Sequence, residues 1–550
     1  MKNITFPYKG ISYVTFTLFL ALYFALVVNI PIYKELSHIL SNLDEVKIGF
    51  IITIPIFFFA ALNFLFNLFS WPWLSKPFFI VLLVVSSMVS YASYNYGTLF
   101  DTDMITNIVE TDTSEASSYL SAYSVIWTLL MGMIPAALVF KVKLQPLNGQ
   151  WLRFVLTKVV SMLASLAVIA VIAGLYYQDY ASVGRNNSYL KKVIIPTQYV
   201  YSISSYVKAK YLTTPEPYRE IGLDAKQSST ALQQATGKPT LLVFVVGETA
   251  RTQNYQLNGY ERETNPYTSK LDVVSFKDVA SCGTATAVSV PCMFSQLTRS
   301  DFDRSRADNQ DNALDIMQRA GVDLLWKEND GGDKGVAHNI TKIEVDRSQK
   351  NELCNGSTCY DMALLNNLDT QISSMKGNRV IAMHLIGSHG PTYFQRYPKD
   401  KAFFQPDCPR ADIENCSVEQ IVNTYDNTIR YTDFVLDQTI AKLKTLEDKY
   451  NTAMIYVSDH GESLGENGLF LHGMPYGLAP DFQKRVPMML WMSPGFKQAK
   501  HIDSDCLQQE AQQTATHSHD NVFHSLLGIM DIETNAYDGK LDIFKTCRNS

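Results

Sequence analysis

Long apolar runs fill the first third of the chain, and short ones punctuate the remainder. Five stretches, at about 11–33, 48–70, 78–97, 121–140 and 154–177, are almost free of charge. At about 1.5 Å per residue, a helix of about 20 residues crosses a bilayer core of about 30 Å. The pattern therefore predicts five transmembrane helices. The first run is longer than a signal-peptide core and lacks a small-residue cleavage motif, so it reads as an uncleaved anchor. From Pro239 the rhythm changes. Short β-rich runs at 240–246 (TLLVFVV), 380–386 (VIAMHLI), 453–457 (AMIYV) and 486–491 (VPMMLW) alternate with helical stretches such as 311–320 and 418–446. This alternation predicts an α/β domain with a largely parallel sheet. Between the two parts, eight tyrosines and several lysines from Tyr176 to Tyr211 suit helices at a membrane interface. The predicted organisation is a transmembrane domain over 1–177, an interfacial connector over 178–238 and a soluble α/β domain over 239–550. No internal repeat interrupts it.

Charge sharpens this division. Residues 1–177 carry only 9 Lys/Arg and 8 Asp/Glu, whereas the whole chain has 47 and 53. That distribution excludes a wholly soluble chain, a disordered one and a basic nucleic-acid binder. Lys2 and Lys9 precede the first span, Lys76 lies in the second loop, and Lys141, Lys143 and Arg153 flank the fourth. The third loop holds Asp101, Asp103, Glu110, Asp112 and Glu115 and no basic residue. The positive-inside rule then places the N-terminus in the cytoplasm. Five crossings put everything after about 177 on the far side, in a bacterial periplasm or an equivalent exterior.

All eight cysteines lie in the second part, as Cys282/Cys292, Cys354/Cys359, Cys408/Cys416 and Cys506/Cys547. An even count at these spacings, without a CxxC or CxxH motif, predicts four disulfides in an oxidising compartment rather than zinc binding.

Open parallel sheets bind ligands beyond the carboxyl ends of their strands. Three apolar runs end in polar clusters: Gly247-Glu248-Thr249, Gly387-Ser388-His389-Gly390 and Ser458-Asp459-His460-Gly461-Glu462, with His472 following. A single Asp-His after a strand is commonly a helix cap; three such strand ends together point to a site. Glu248, Asp459 and His460 offer a mixed O/N set suited to Zn²⁺ or Mn²⁺. The small residues of Cys282–Cys292 could bring a hydroxyl at a helix N-terminus to that metal, where its pKa falls and it can attack phosphorus. A Ser/Thr-rich surface turn is the plainer reading of that segment.

The segments VVGETAR (245–251), SCGTATAVSVPCMF (281–294), GSHGPTY (387–393) and SDHGESLGENG (458–468) resemble the lipid A phosphoethanolamine transferases of the alkaline-phosphatase/sulfatase superfamily. That group includes the mobile colistin-resistance enzymes, and the resemblance covers the whole chain. It implies five membrane helices, a periplasmic α/β domain and a monomer in the bacterial inner membrane. It also implies one or two zinc ions, the first held by Glu248, Thr286, Asp459 and His460. Thr286 would take phosphoethanolamine from phosphatidylethanolamine and pass it to a lipid A phosphate, giving polymyxin resistance. His389 and His472 match positions near the phosphate or a second zinc. Lys334 and Glu462 match positions around the donor, and Thr284 would shape the pocket. Asn107, Thr111 and Glu115, spaced to share one helix face, match a donor-binding face. Two departures stand out. Asp333 and Ala337 occupy positions where some relatives carry a cysteine pair, and Gly331 stands three residues before Lys334 where some have a serine.

Other histidines receive plainer readings: His384 as a core residue of a strand, and His517, His519 and His524 on a solvated helix. Three alternatives compete with the transferase: the same chemistry on a core sugar or periplasmic glycan, a metal-dependent phosphodiesterase or sulfatase-type hydrolase, and a non-catalytic membrane scaffold. The proline before Cys292 and its predicted disulfide argue against a sulfatase-type nucleophile. The intact Glu248, Thr286, Asp459 and His460 argue against a scaffold.

Overall fold

The computed structural model describes residues 10–43, 46–214, 216–514 and 516–548, without the side chains of Ser114 and Glu115. Lys2 and Lys9, used for orientation above, lie outside the described residues, as does the side chain of Glu115. The chain divides into two packed units that do not follow chain order. One is Met1–Asp101 with Ser121–Ser204; the other is Thr102–Leu120 with Ser205–Ser550.

The first unit is helical. Ile48–Phe69, Ser75–Tyr96, Ala122–Lys141 and Trp151–Asn186 are each long and apolar enough to cross a membrane. A fifth span forms if Tyr13–Val28 and Ile30–Ser41, bent by 52° to one another, count as one. The bend falls where Asn29 leaves helical geometry ahead of Pro31, whose ring cannot continue a helix interior. Asn29 is fixed there: its Nδ2 donates to Ile195 O (2.6 Å) and its Oδ1 accepts from Ile195 N (2.9 Å). The last long helix extends to Asn186 but loses helical φ/ψ at Tyr176, beside the expected end of the fifth apolar run. Several buried polar groups within these helices pair with one another. Asn63 donates to Ser161 Oγ (3.0 Å) and Ser165 Oγ (2.9 Å), and the buried Lys158 donates to Ser70 O (2.8 Å) above the Trp71 ring. In a medium without water, each would otherwise be costly.

The second unit is built on an eight-stranded sheet. In chain order its strands are Thr240–Gly247 (β1), Val273–Ala280 (β2), Asp323–Glu328 (β3), Thr341–Glu344 (β4), Arg379–His384 (β5), Asn451–Ser458 (β6), Arg485–Met492 (β7) and His517–Ser518 (β8). Their spatial order is β8-β2-β7-β6-β1-β5-β3-β4. Every pairing is parallel except those of β7, which runs against both neighbours. β1 lies at the centre and is buried along its whole length, which is why its sequence is a continuous apolar run rather than an alternation. Pro487 has no N–H for a ladder, and the β7–β2 register shifts at that point, between Val486 and Met488. Leu242, Phe244, Phe276, Trp326, Ile455 and Leu490 are among the residues of the main core. The helix Val418–Lys444 starts at a Ser417/Gln420 capping box, in which side chains satisfy the first free amides. Disulfides join Cys282 to Cys292, Cys354 to Cys359, Cys408 to Cys416 and Cys506 to Cys547, the pairs expected from their spacing.

Candidate active site

Because all strands but β7 point the same way, the residues that follow β1, β5 and β6 gather at one edge. Gly247 ends β1 against the Tyr456 ring; a Cβ there would fall 2.5 Å from its atoms. This close approach directs Glu248 into the edge. Thr249 follows with a positive φ of 59°, a strained conformation for a β-branched residue, and its hydroxyl donates to Glu248 Oε1. After β6, Asp459 Oδ1 accepts from Thr249 N (3.1 Å) and His460 N (2.7 Å). Its Oδ2 is buried without a hydrogen-bond partner. His460 Nδ1 lies 3.0 Å from Gly461 O, a contact that assigns the proton to Nδ1 and leaves Nε2 as a lone-pair donor.

Thr286 is the first residue of the helix Thr286–Phe294. Its hydroxyl lies 3.2 Å from Glu248 Oε2 and 3.4 Å from His460 Nε2. His460 Nε2 is in turn 3.3 Å from Asp459 Oδ2 and 3.6 Å from Glu248 Oε1. Four donor groups thus stand about one another at 3.2–3.6 Å. Ligands at about 2.1 Å around one tetrahedral zinc are separated by roughly 3.4 Å. Glu248, Asp459 and His460 form a fully buried set able to hold a metal, and the unpartnered Asp459 Oδ2 fits the same role. The electrostatics agree. Burial, reinforced by the Asp459 charge, pushes Glu248 above the ordinary carboxylate range. Burial also raises Asp459 to about 6 and lowers His460 to about 4. A neutral imidazole beside carboxylates that resist being charged is an environment a divalent cation would stabilise.

His472 is held through Nδ1 by Glu462 Oε2 (2.9 Å), and its ring sits 4.4 Å from that of His460 and 5.5 Å from that of His389. Glu462 also accepts from the Tyr393 hydroxyl, and burial raises its pKa to about 8. Thr284 donates to Met474 O (2.6 Å), which ties its hydroxyl to the loop wall. Lys334, with a φ of 48°, lines a cavity of about 520 Å³ together with Glu110, Arg304 and Asn312. Gly331 occupies a φ of 104°, and a Cβ there would fall 1.8 Å from Asp112 Oδ2, so the departure to glycine makes room for the Asp112–Arg347 ion pair. The Asp333 and Ala337 positions are linked by a hydrogen bond from Ala337 N to Asp333 Oδ2 (2.8 Å).

The third-loop helix departs from expectation in part. Thr102–Glu110 belongs to this second unit and packs on the Thr286 helix, but helical geometry stops at Glu110 and resumes at Thr113. Asn107 and Thr111 meet through Thr111 Oγ1, which donates to Asn107 O (2.7 Å). Asn107 and Glu115 therefore lie on two successive short helices, separated by the break at Thr111 and Asp112, rather than on one uninterrupted helix.

Several site residues were not visible in the sequence. Arg304 joins three segments: it pairs with Glu110 (3.2 Å), donates to Ala287 O in the first turn of the Thr286 helix, and donates to Lys334 O (3.2 Å). His519 is buried rather than solvated. It accepts from Cys282 N (3.1 Å), lies 2.9 Å from Ser458 O and so staples the Thr286 loop to the end of β6. His517 and His524 are buried as well. His384 is in the core as expected, but it faces Glu328 and Asp330. Nothing in local sequence marks these contacts, since each partner is distant along the chain.

A parallel sheet with carboxylates, imidazoles and a helix-borne hydroxyl at its strand ends, in a chain with apolar membrane-length helices, defines a membrane enzyme with an alkaline-phosphatase/sulfatase-type catalytic domain. The sulfatase family model matches residues 240–532, and the model described as phosphoethanolamine transferase EptA/EptB matches 58–211. Phosphoethanolamine transferase EptA of Escherichia coli K12 is 39% identical over 539 residues, 98% of each chain. Phosphatidylethanolamine transferase Mcr-1 of Escherichia coli is 36% identical over 85% of this chain and 89% of its own. The structure of the integral membrane protein lipooligosaccharide phosphoethanolamine transferase A from Neisseria meningitidis superposes with a TM-score of 0.91 at 36% identity, covering 98% of this chain and 99% of that one. The chain belongs to the phosphoethanolamine transferase family.

Proposed function

We propose that this enzyme moves phosphoethanolamine from phosphatidylethanolamine to a phosphate of lipid A, through a phospho-Thr286 intermediate. The observation that carries this reading is the placement of the Thr286 hydroxyl, within 3.2–3.4 Å of Glu248 and His460 at a helix N-terminus. A zinc ion held by Glu248, Thr286, Asp459 and His460 would lower the hydroxyl pKa and neutralise phosphoryl charge. In the first half-reaction, Thr286 Oγ gives up its proton and forms a bond to phosphorus, the bond to the diacylglycerol oxygen breaks, and that oxygen takes up a proton, so that none is gained or lost overall. In the second, a lipid A phosphate oxygen attacks the same phosphorus and Thr286 leaves. Glu248 Oε2 accepts the hydroxyl hydrogen bond and orients the attacking lone pair. His472, anchored by Glu462, and His389 beside it serve the proton needs of the leaving oxygen. The amides at the start of the Thr286 helix stabilise negative charge there.

Asn107 and Thr111, on the segment that packs against the Thr286 helix, would recognise the donor head group, with Glu115 supplying charge for the ammonium. The apolar helices, the loop charges and the disulfides support a location in the bacterial inner membrane, with the N-terminus cytoplasmic and the catalytic domain periplasmic, where disulfides persist. Modification of lipopolysaccharide in this way would lower its negative charge and confer polymyxin resistance. Mass spectrometry of lipid A from cells expressing the chain tests the whole reading. An added phosphoethanolamine group is expected; unmodified lipid A with a modified core sugar would move the acceptor. Released phosphoethanolamine without any modified acceptor would establish a hydrolase instead.

A further inference from the structure

Beside the Thr286 site, the same edge of the sheet carries a second group of buried ligating side chains, which shares Glu248 with that site and adds Glu328, Asp330 and His384, residues the proposed reaction leaves unused. Glu328 ends β3 and His384 ends β5, and the two are register partners in the sheet. Asp330 lies two residues beyond β3, and Glu248 one residue beyond β1. All four are buried. Ligand atoms of Glu248, Asp330 and His384 lie within 4.8 Å of one another.

The hydrogen bonding separates an orienting carboxylate from a coordinating set. Glu328 is fully engaged. Its Oε1 accepts from Asp330 N (2.6 Å) and Gly331 N (3.1 Å), and its Oε2 accepts from Trp326 Nε1 (2.9 Å) and lies 3.0 Å from His384 Nδ1. His384 Nε2 and Asp330 Oδ1, by contrast, have no hydrogen-bond partner although both are buried. A histidine whose one nitrogen donates to a carboxylate while the other is bare is the usual arrangement of a metal-bound imidazole. Across the gap, His384 Nε2 and Asp330 Oδ2 stand 3.7 Å apart. That is too long for the charge-assisted hydrogen bond, about 2.7–2.9 Å, that a protonated imidazole would form. It suits two donors sharing one cation at about 2.1 Å each. A buried carboxylate with an empty lone pair is also costly unless a cation or donor compensates it.

We propose that Glu248, Asp330 and His384 form a second divalent-cation site, with Glu248 bridging it to the metal at Asp459 and His460. The mixed carboxylate–imidazole set suits zinc or manganese. The site is distinct from the His389 and His472 pair, whose rings cluster with His460. The inference rests on the reading of Glu248, Asp459 and His460 as the first metal site, and the two can fail separately.

The test uses the full chain in detergent, equilibrated with zinc, freed of excess metal and measured by inductively coupled plasma mass spectrometry. Two equivalents of zinc are expected in the wild type, and one in both Asp330→Asn and His384→Gln. Asp459→Asn should lose the other equivalent, and His389→Ala should keep both. One equivalent in the wild type, unchanged in the Asp330 and His384 variants, overturns the second site and leaves the first standing. No zinc in the wild type removes both readings. Should the variants misfold by circular dichroism, anomalous diffraction at the zinc edge from wild-type crystals decides the matter. A peak among Glu248, Asp330 and His384 supports the site; peaks only at Asp459/His460 or at His389/His472 overturn it.

Discussion

The proposed reaction gives the single Thr286 hydroxyl two jobs, attack and ligation, and its substitutions would separate them. Thr286→Ala removes the nucleophile but leaves Glu248, Asp459 and His460 as ligands. It is expected to abolish transfer, by about 10³-fold or more in kcat, while retaining measurable zinc. Thr286→Ser keeps the oxygen and should retain partial activity. Transfer by the alanine variant at the wild-type rate would refute the covalent route. A different residue reports on pH. Burial raises Asp542 to about 6, and its oxygens accept from Tyr537 Oη (2.8 Å) and Phe544 N (2.9 Å). Between its unfolded value near 4 and this folded value, the native state holds the extra proton. Its stabilising contribution is therefore present below pH 4 and lost as pH rises through 6. Asp542→Asn removes the charge, keeps an oxygen to accept from Phe544 N and turns an amide donor toward Tyr537 Oη, where the hydrogen bond reverses. Thermal unfolding should show it gaining up to about 3 kcal/mol relative to wild type at pH 8, and little or nothing at pH 4.

At the scale of elements, the short helix Thr286–Phe294 is located by contacts from remote segments rather than by its own sequence. The Cys282–Cys292 disulfide and His519 hold its leading loop, and Arg304 ties its first turn to Glu110 and to Lys334. Arg304 bonds to the helix and its neighbours rather than to Glu248, Thr286, Asp459 or His460, which fits a positioning residue. Arg304→Ala is expected to lower kcat about 10- to 100-fold, because small displacements of a reacting group are expensive in rate. Zinc content should not change. Arg304→Lys, which keeps the charge but not the planar fork, should recover only part of the loss. Equal kcat in all three forms would remove Arg304 from this role.

At the scale of the whole molecule, two packed units share one chain, and a segment from between the apolar helices, Thr102–Leu120, packs within the catalytic unit. On the proposed reading of Glu248, Asp459 and His460 as metal ligands, the stability of that unit should depend on metal. A ligand bound by the native state alone adds RT ln(1 + [L]/Kd), about 4 kcal/mol at a thousandfold excess over Kd. Chelation with EDTA is thus expected to lower the melting temperature of the wild type by several degrees. The effect should be much smaller in Asp459→Asn, which lacks a charged ligand. An EDTA-insensitive wild type, checked by differential scanning calorimetry, would argue that the cluster holds no structural metal.

Much of this was legible along the chain because the responsible forces act locally. Uncharged runs of membrane length, β-rich runs ending in Glu248, His389 and Asp459, and cysteines close in sequence all declare themselves within a few residues. So did the resemblance, carried by contiguous motifs. Register, strand order and burial were decided elsewhere. His519, read as solvated, became a buried staple because β8 pairs beside β2. His384 acquired carboxylate partners because β3 lies next to β5. The third-loop helix ended at Glu110, where Glu110 and Asp112 turn to Arg304 and Arg347. The sequence alone determined which chemical groups exist and which short segments are helical, extended or apolar. Only the tertiary structure decided which groups meet, since a polar side chain is defined by partners hundreds of residues away and the cost of burying it falls due only when the layers close.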